Sequence, residues 1–459
     1  MFLKSLAFTL GWVLFAIPIS LATSIKQAQI AEVESRLLKQ AADGAEKFRK
    51  GDAWLTFRTG DGQSLSGASV EIRQKTHDFL FGALLFGLVN HAGSDPYRVE
   101  DYQERFKALF NLGVLPFYWE GYEPTAGMPH WLKQGRVIEW ALANGITLKG
   151  HPLVWTHPAG MPGWLYSLPV ETTETLLSAR VTSTVLGLAG KINIWDIVNE
   201  PVNTISWRMA HADPSENGET RYQFIPVEEV TRWVAPFYRM AHLANPQATL
   251  VLNEFFQIMK PEVRQRFLRL VQQFKAEQVP IGALGIQTHE PLDAWFPPEE
   301  VVKTLDLLGS LGYPLQITEF IPQSSGKPIA GGWREGLWTE ESQADYAEQI
   351  YRLAFGHAAV EVINWWGFSD RDAWQPGGGL VTAEYEPKPV YRRLMQLVHQ
   401  EWETRLTGTT DNDGRLKFRG FYGEYEILLK TPQGEQRGFK IHLSKKIGQE
   451  NRFTLTVVP

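Results

Sequence analysis

The chain alternates between short apolar runs and longer amphipathic stretches over most of its length. The amphipathic stretches repeat apolar residues at three- and four-residue steps, which predicts helices, whereas the apolar runs have the length of strands. Eight runs are predicted to be strands: FLFGAL at 79–84, VLPFYW at 114–119, TLKGHPLVW at 147–155, INIWDIVN at 192–199, ATLVLNEF at 248–255, ALGIQTH at 283–289, PLQITEF at 314–320 and VINWWGFS at 362–369.

The eight predicted strands are nearly continuous in apolar residues, as parallel strands covered by helices on both faces are. Eight strand–helix units in series favour the α/β class and a closed (β/α)8 TIM barrel over residues 78–400. An open doubly wound sheet is the alternative. It would predict a glycine-rich phosphate loop after the first strand, and the sequence there, FGALLFG, is not such a loop.

The pattern changes at both ends of the predicted barrel. Residues 23–50 predict a helix, and residues 51–77 predict a β segment that turns at Gly-Asp-Gly. Residues 401–459 predict further short strands. Because neither β segment has enough strands for a core of its own, we expect them to pair into one small accessory β-sandwich that braces the barrel.

The first 22 residues predict a signal peptide. They carry one Lys, then a long apolar stretch, and end in the small-residue pattern Ser-Leu-Ala. The protein is therefore expected to be secreted or periplasmic. Because the apolar stretch is long for a signal core, an uncleaved membrane anchor stays open, but no other segment approaches the length of a membrane span.

Composition narrows the classes of function. The chain has 459 residues, of which 44% are apolar and 21% are charged, which is typical of a globular protein. A net charge of −6 without any basic block disfavours nucleic acid as a partner. The absence of Cys excludes thiol catalysis and Cys-ligated zinc. No cofactor and no metal are expected, and the protein is expected to be a monomer.

The predicted strand ends carry carboxylates, amides and aromatic rings, with few Lys or Arg. In a (β/α)8 barrel these ends form the active face. Amides and carboxylates hydrogen-bond hydroxyl groups, and indole faces stack on the C–H faces of sugars. The chemistry indicated is therefore sugar binding combined with acid/base catalysis.

Glycoside hydrolysis needs two carboxyl groups, about 5–5.5 Å apart if configuration is retained and about 6.5–9.5 Å apart if it is inverted. Glu200 and Glu254 end neighbouring strands, which lie only about 4.8 Å apart, so they would sit on the same flank of a sugar. Glu200 and Glu319 end strands three apart and would face each other across the mouth. They are the predicted catalytic pair, while Glu254, Glu290 and Asp370 stay open as structural or supporting groups.

Five segments resemble, in order, the motifs of glycoside hydrolase family 10, the retaining endo-1,4-β-xylanases. KGHPLVW resembles G-H-x-L-V-W, WDIVNEP resembles W-D-V-V-N-E, LGIQTH resembles G-x-Q-x-H, LQITEF resembles the strand with I-T-E, and NWWGFSDRDAW resembles F-W-G-x-S-D-x-x-S-W. The resemblance runs from about Phe79 to Leu397. Five motifs in register, one on each expected strand, make a chance match very improbable.

The resemblance implies a role for each matching residue. Glu200 would be the general acid and then the general base, and Glu319 would be the nucleophile. Asn199 would hydrogen-bond the 2-hydroxyl of the sugar being cleaved, His289 would hydrogen-bond the nucleophile, and Gln287 would hydrogen-bond the acid/base. The implied reaction is double displacement on a xylan-type polysaccharide.

The expected substrate-binding set also includes aromatic residues and one more histidine. Trp366 and Trp374 would wall the subsite at the cleavage point. The set is completed by His151 and Trp155 in the third-strand motif and by Tyr118 and Trp119 at the end of the second strand. Two alternatives stay open: a related β-glycosidase for a different polysaccharide or oligosaccharide, and a carbohydrate-binding barrel without catalysis.

The sequence departs from the family pattern on the glycone side. In the second strand, Val114, Leu115 and Tyr118 stand where the pattern E-N-x-M-K-W has Glu, Asn and Lys. Thr156 replaces the second His of the third strand, and Ile321 replaces an Asp that follows the nucleophile. A polar site discriminates between ligands more strongly than an apolar site does. The retaining mechanism is therefore a firmer inference than xylan as the substrate, and endo or exo action stays open.

Overall fold

The protein is represented by a computed structural model, which describes residues 19–91, 96–202, 225–255, 257–289, 292–445 and 451–457. Most of the predicted signal peptide lies outside these ranges. The N-terminal helix, α1, spans Ile19–Phe48 and so begins before the predicted start of that helix. Among the described residues, no helix is long and apolar enough to cross a membrane.

Eight parallel strands close into a barrel in which each strand pairs with the next and the last pairs with the first. The strands are β3 (Leu80–Leu84), β4 (Leu112–Pro116), β5 (Thr147–His151), β6 (Ile194–Asn199), β7 (Thr249–Glu254), β8 (Ala283–Ile286), β9 (Leu315–Phe320) and β10 (Val360–Trp365). The predicted (β/α)8 barrel is confirmed. Several strands end earlier than predicted, because the residues that follow leave the sheet and line the barrel mouth.

Helices cover the outside of the barrel. They are α2 (Phe86–His91), α3 (Pro96–Leu109), α4 (Trp119–Tyr122), α5 (Trp131–Ala143), α6 (Val170–Gly187), α7 (Val227–Ala244), α8 (Pro261–Ala276), α9 (Pro298–Gly309), α10 (Glu340–Gly356) and α11 (Pro389–Gln396). The helix α8 shows why these segments are helical. It starts with Pro at its first position, and Val263, Phe267, Leu270 and Phe274 recur at three- or four-residue steps on its buried face.

The N-terminal helix α1 packs against α10 through paired glycines. A Cβ atom added to Gly44 would lie 2.1 Å from the carbonyl oxygen of Gly356, and one added to Gly356 would lie 2.2 Å from that of Ala41. Any larger residue would force the two helix backbones apart. The close crossing therefore fixes α1 along the barrel wall.

The two ends of the chain pair as predicted into an accessory β-sandwich. The strands outside the barrel are β1 (Lys50–Thr59), β2 (Ser69–Gln74), β11 (Arg405–Thr409), β12 (Arg415–Phe421), β13 (Gly423–Lys430), β14 (Gln436–Leu443) and β15 (Arg452–Val457). One sheet has the order β12-β1-β15 and the other β11-β2-β13-β14. Inward-facing residues such as Phe57, Ile72 and Ile427 form a core separate from that of the barrel.

A buried arginine joins this sandwich to the N-terminal end of the barrel. Arg49, just before β1, donates hydrogen bonds to the backbone carbonyls of Phe355, His357 and Val360, and the last of these begins β10. The sandwich therefore sits at the end of the barrel opposite the strand termini that carry the candidate site.

Candidate active site

Glu200 follows β6 at a sharp change of backbone direction. Its φ is +56°, a left-handed conformation that is uncommon for a non-glycine residue and that clusters at functional sites. The pairing of β6 with β7 is also irregular between Asp196 and Asn199. The Glu200 N–H still donates to the Asn253 carbonyl, at 3.0 Å. The chain thus leaves the sheet at this glutamate while its backbone stays anchored.

Three side chains donate hydrogen bonds to the Glu200 carboxylate. Trp155 Nε1 lies 2.9 Å from Oε2, and Gln287 Nε2 and Asn199 Nδ2 each lie 3.0 Å from Oε1. Burial, and next the charge of Glu319, raise the pKa of Glu200 despite the donors from Gln287 and Trp155. The site therefore favours the protonated form that a general acid needs.

Glu319 lies on β9, with only 2% of its surface exposed. His289 Nε2 lies 2.7 Å from its Oε2, and Asn253 Nδ2 donates to its Oε1 at 2.8 Å. His151 Nε2 stands 3.9 Å from Oε1. The expected contact between His289 and this carboxylate is present, and the polar groups around it fix one orientation.

The amide of Asn253 connects Glu319 to Glu200 by way of a second amide, that of Asn199. Besides Glu319, Asn253 Nδ2 donates to Asn199 Oδ1 at 2.9 Å, and Asn199 in turn donates to Glu200. Thr318 fixes the same amide by donating to its oxygen at 2.7 Å. The two carboxylates thus belong to one network at one end of the barrel. The sequence analysis missed Asn253, although the Asn-Glu pair at the end of β7 repeats the pair at the end of β6.

A second buried network lies next to Glu319. His151 Nδ1 is 2.7 Å from Asp196 Oδ2, and its Nε2 is 3.1 Å from the Tyr118 hydroxyl. Lys149 Nζ lies 2.9 Å from Asp196 Oδ1 and donates to Gln316. Burial alone would raise the pKa of Asp196, but Lys149 and His151 outweigh burial and lower it. The sequence analysis did not assign roles to Lys149 or Asp196, although both lie in quoted motifs.

Aromatic side chains wall the cleft beside the catalytic pair. The Trp366 ring packs edge-on 4.8 Å from His151, and the half-exposed Trp374 ring packs edge-on 5.2 Å from His289. The adjoining cavity measures about 420 Å³ and lies over the contiguous strands β10, β3, β4 and β5. Its apolar and aromatic walls include Leu84, Phe86, Tyr118, Trp155, Trp366 and Trp374.

Trp119 does not line this cavity, which corrects its expected place in the substrate-binding set. The indole is 3% exposed and packs edge-on against Trp164. Its Nε1 donates to Glu123 at 2.9 Å, and the Arg180 guanidinium lies 5.0 Å from its ring centre. The reason is that β4 ends at Pro116, so the chain enters α4 and the strand alternation assumed over 114–119 stops.

Two of the departures on the glycone side belong to one packed unit. Val114 and Ile321 contact Leu84 and Trp366 in an apolar cluster that is separate from the main barrel core, and Phe86 packs against it. We call these five residues the apolar wall. At Val114 and Ile321, polar side chains of the family pattern are thus replaced by buried aliphatic side chains that form no hydrogen bonds.

The other strand-end carboxylates have supporting roles. Glu254 is fully buried and accepts the backbone N–H groups of Val202 and Phe255, at 2.7 and 2.9 Å, which fixes the turn after Glu200. Asp370 pairs with the buried Lys388 at 3.1 Å. Glu290 lies outside the described residues. In the described ranges, no group of three or more Asp, Glu or His side chains is arranged to hold a metal ion.

A (β/α)8 barrel with two carboxylates at its mouth, held by amides and histidine and flanked by indoles, has the architecture of a glycoside hydrolase. Within that class the family is clear. The family model described as Glycosyl hydrolase family 10 matches residues 97–397, and the chain belongs to this family.

Two curated relatives and one solved structure illustrate the similarity. The chain is 27% identical over 403 residues to endo-1,4-beta-xylanase 2 of Arabidopsis thaliana, covering 85% of this chain but only 33% of the relative. It is 28% identical over 323 residues to endo-1,4-beta-xylanase B of Thermotoga neapolitana, covering 67% of this chain and 86% of the relative. Xylanase 10B of Thermotoga petrophila, solved with xylobiose, superposes with a TM-score of 0.56 at 22% identity, covering 71% of this chain and 95% of that one, and shares the fold.

Proposed function

We propose that the protein is a secreted retaining β-glycoside hydrolase of the endo-1,4-β-xylanase type, acting on a xylan-like polysaccharide. The observation that carries this proposal is the joint network of Glu200 and Glu319, in which the first glutamate is biased towards its protonated form and the second is held by donors. Family membership and the xylanase names of relatives support the substrate class.

In the first step, the Glu319 carboxylate attacks the anomeric carbon. The bond from that carbon to the leaving oxygen breaks, and the Glu200 carboxyl delivers its proton to that oxygen. The product is a glycosyl ester of Glu319. His289 and Asn253 hold the attacking carboxylate in a single orientation, which lowers the entropy cost of reaching the transition state.

In the second step, Glu200 works as a base. It is now ionised, takes a proton from water, and the resulting oxygen attacks the anomeric carbon from the side that the leaving group vacated. The ester to Glu319 breaks, and the original configuration is restored. The donors from Trp155 and Gln287 stabilise the ionised form of Glu200 that this step requires.

The remaining contacts of the proposed site concern the sugar. Asn199 is proposed to hydrogen-bond the 2-hydroxyl at the cleavage point, where its amide is already aligned by Asn253 and Gln287. Trp366 and Trp374 are proposed to wall the same subsite. Such fixed polar groups bind the transition state better than the flexible substrate because they need no reorganisation.

A second candidate is a related β-glycosidase that acts on a different polysaccharide or on an oligosaccharide. The aliphatic residues at Val114 and Ile321 favour it, because the polar groups that would hydrogen-bond the sugar on this side of the cleft are missing there. The third alternative is a sugar-binding barrel without turnover, and the presence of both glutamates in one network argues against it.

The test compares the wild type with Glu200→Ala and Glu319→Ala on dye-labelled xylan, arabinoxylan, mixed-linkage glucan and a panel of aryl β-glycosides. We expect hydrolysis of xylan to fall by about 10²–10⁴-fold or more in each variant. Azide should restore turnover of an activated aryl glycoside by Glu319→Ala and give the inverted glycosyl azide.

Glu361→Ala is the matched control. This exposed glutamate is the second residue of β10 and lies at the opposite end of the barrel, so its replacement should leave activity unchanged. Unchanged hydrolysis in Glu319→Ala would overturn the assignment of the nucleophile. A wild type that cleaves glucan or aryl glycosides but not xylan would establish the second candidate instead.

Export is part of the same proposal and rests on the leader sequence alone. Expression with the native leader, followed by N-terminal sequencing of the exported protein, should show a mature chain that begins just after Ala22. A full-length chain in the membrane fraction would show an uncleaved anchor.

A further inference from the structure

The flank of the barrel carries an exposed apolar patch close to the cleft. Met128, Trp131 and Leu132 are 66%, 60% and 58% exposed and lie in the loop before α5 and in its first turn. Exposed apolar groups that occur singly are ordinary, but a cluster of three within five residues marks an interaction site. Trp131 is the first residue of α5 and presents the largest flat surface of the three.

Beside Trp131 runs a groove between α5 and α6, with a volume of about 350 Å³. Its apolar lining includes Tyr122, Ile138 and Trp131, and its polar lining includes Gln134, Glu139 and Ser183. We call it the flank groove. An indole face next to amide, carboxylate and hydroxyl groups is the combination that binds a sugar chain, since the rings stack while the hydroxyls form hydrogen bonds.

The flank groove adjoins the cavity beside the candidate site. Tyr122 and Gln134 line both cavities, and the neighbouring residues alternate between them, with His130 and Lys133 on the cleft and Trp131 on the groove. The two cavities therefore lie side by side, and the groove is near enough for a polysaccharide chain that extends beyond the cleft.

The helix α5 also leaves space for an occupant. Gly135 lies within this helix and faces the groove, and a Cβ atom added there would meet nothing within 4 Å. Packing therefore does not require glycine at this position, and glycine is among the poorest helix formers. The open space that it leaves is the space that a bound chain would occupy.

We propose that the flank groove is a secondary binding site for the polysaccharide substrate, with Trp131 as its stacking platform. The proposal rests on the proposed function, because it assigns to the groove the chain that the cleft cleaves. The site raises affinity for long chains, since a polymer bound in the groove stays near the cleft, whereas a disaccharide glycoside is too short to reach it.

The kinetic test measures kcat/KM of Trp131→Ala on soluble xylan and on an aryl β-xylobioside. We expect a five- to twenty-fold loss on the polymer, mostly through KM, and less than a twofold change on the short substrate. Leu243→Ala is the matched control, because this 80% exposed residue on α7 lies outside both cavities. Gly135→Gln should reproduce the loss by filling the groove. Equal effects on both substrates, or no effect on the polymer, would overturn the proposal.

A binding test separates this proposal from the proposed function. Gel retardation by xylan, arabinoxylan or mixed-linkage glucan is compared between the Glu319→Gln protein and the same protein carrying Trp131→Ala. We expect clear retardation by at least one polymer, reduced at least threefold in the double variant and partly restored by Trp131→Phe. Equal retardation of the two proteins, or none by any polymer, would overturn the groove assignment. Retardation by glucan alone would instead show that the groove binds but that the proposed xylan specificity is wrong.

Discussion

The hydrogen bond from Trp155 to Glu200 offers a direct test of how the acid/base is tuned. Trp155→Phe removes the donor at 2.9 Å from Oε2 but keeps an aromatic ring beside Tyr118 and His157. This donor stabilises the ionised carboxyl group, so it holds the pKa of Glu200 down against burial and against the charge of Glu319. Its removal should therefore raise that pKa further.

The magnitude follows from the strength of the bond. A hydrogen bond to a charged group contributes about 1.5–3 kcal/mol, and one pKa unit corresponds to about 1.36 kcal/mol, so the ceiling is about one to two units. Trp155 is half-buried at the cleft, where water can replace the lost donor. We therefore expect a rise of about half a unit to one unit.

The assay is the dependence of kcat/KM on pH for an aryl β-glycoside. Activity falls at high pH when Glu200 loses its proton in the free enzyme, so the basic limb should move to higher pH in Trp155→Phe. Trp374→Phe is the control, because its ring contacts His289 and donates no hydrogen bond to Glu200, and it should leave the basic limb in place. A basic limb that stays fixed or moves to lower pH in Trp155→Phe would refute the reasoning.

Two further predictions concern stability, measured by urea unfolding. Lys149→Met leaves Asp196 buried without its main cation and should lower the free energy of unfolding by about 3–5 kcal/mol. The control is Arg36→Met in an exposed ion pair, which should lower it by less than about 1 kcal/mol. Similar losses in the two variants would contradict this prediction. Burial, with a smaller contribution from His399, lowers the pKa of His77 to about 4. The unfolded chain therefore takes up a proton between about pH 6.5 and 4 that the folded protein does not. The wild type should lose about 2 kcal/mol more than His77→Gln between pH 7 and 4.5, and parallel losses would count against that assignment.

Sequence periodicity predicted which segments form strands better than it predicted where they end. The run VLPFYW reads as one strand, but its ladder stops at Pro116 and the next residues enter α4. A strand in a barrel ends where its backbone pairing with the neighbouring strands ends, and the sequence of one segment does not show where that is. Because of this error, Trp119 was assigned to the cleft although it is buried, whereas Tyr118, one residue earlier, does line the cleft and contacts His151.

Glu200 and Glu319 could be singled out from the sequence because each stands in a local motif, but the groups that orient them come from distant segments. Asn253, which donates a hydrogen bond to Glu319, lies 66 residues before it in the sequence. Lys149 on β5 forms an ion pair with Asp196 on the neighbouring strand β6. Only the closed barrel makes these side chains neighbours. The sequence shows which residue types are present at the strand ends, but only the order of the strands in the barrel determines which of them are in contact.

The residues of the apolar wall pack against one another, so their effect on substrate binding has to be considered together. Val114 and Ile321 lie on opposite sides of β3 and β10 in the barrel, yet both pack against Leu84 and Trp366, with exposures of 1% and 0%. A glutamate placed at Val114 alone would bury a carboxyl group among apolar neighbours with no partner, which costs several kcal/mol. The polar pattern of the family therefore cannot be restored one residue at a time, and the replacements on β4 and after β9 are mutually dependent. The hydrogen bonds described above among Glu200, Asn199, Asn253 and Glu319 involve none of the apolar-wall residues, so the wall can vary without altering those contacts.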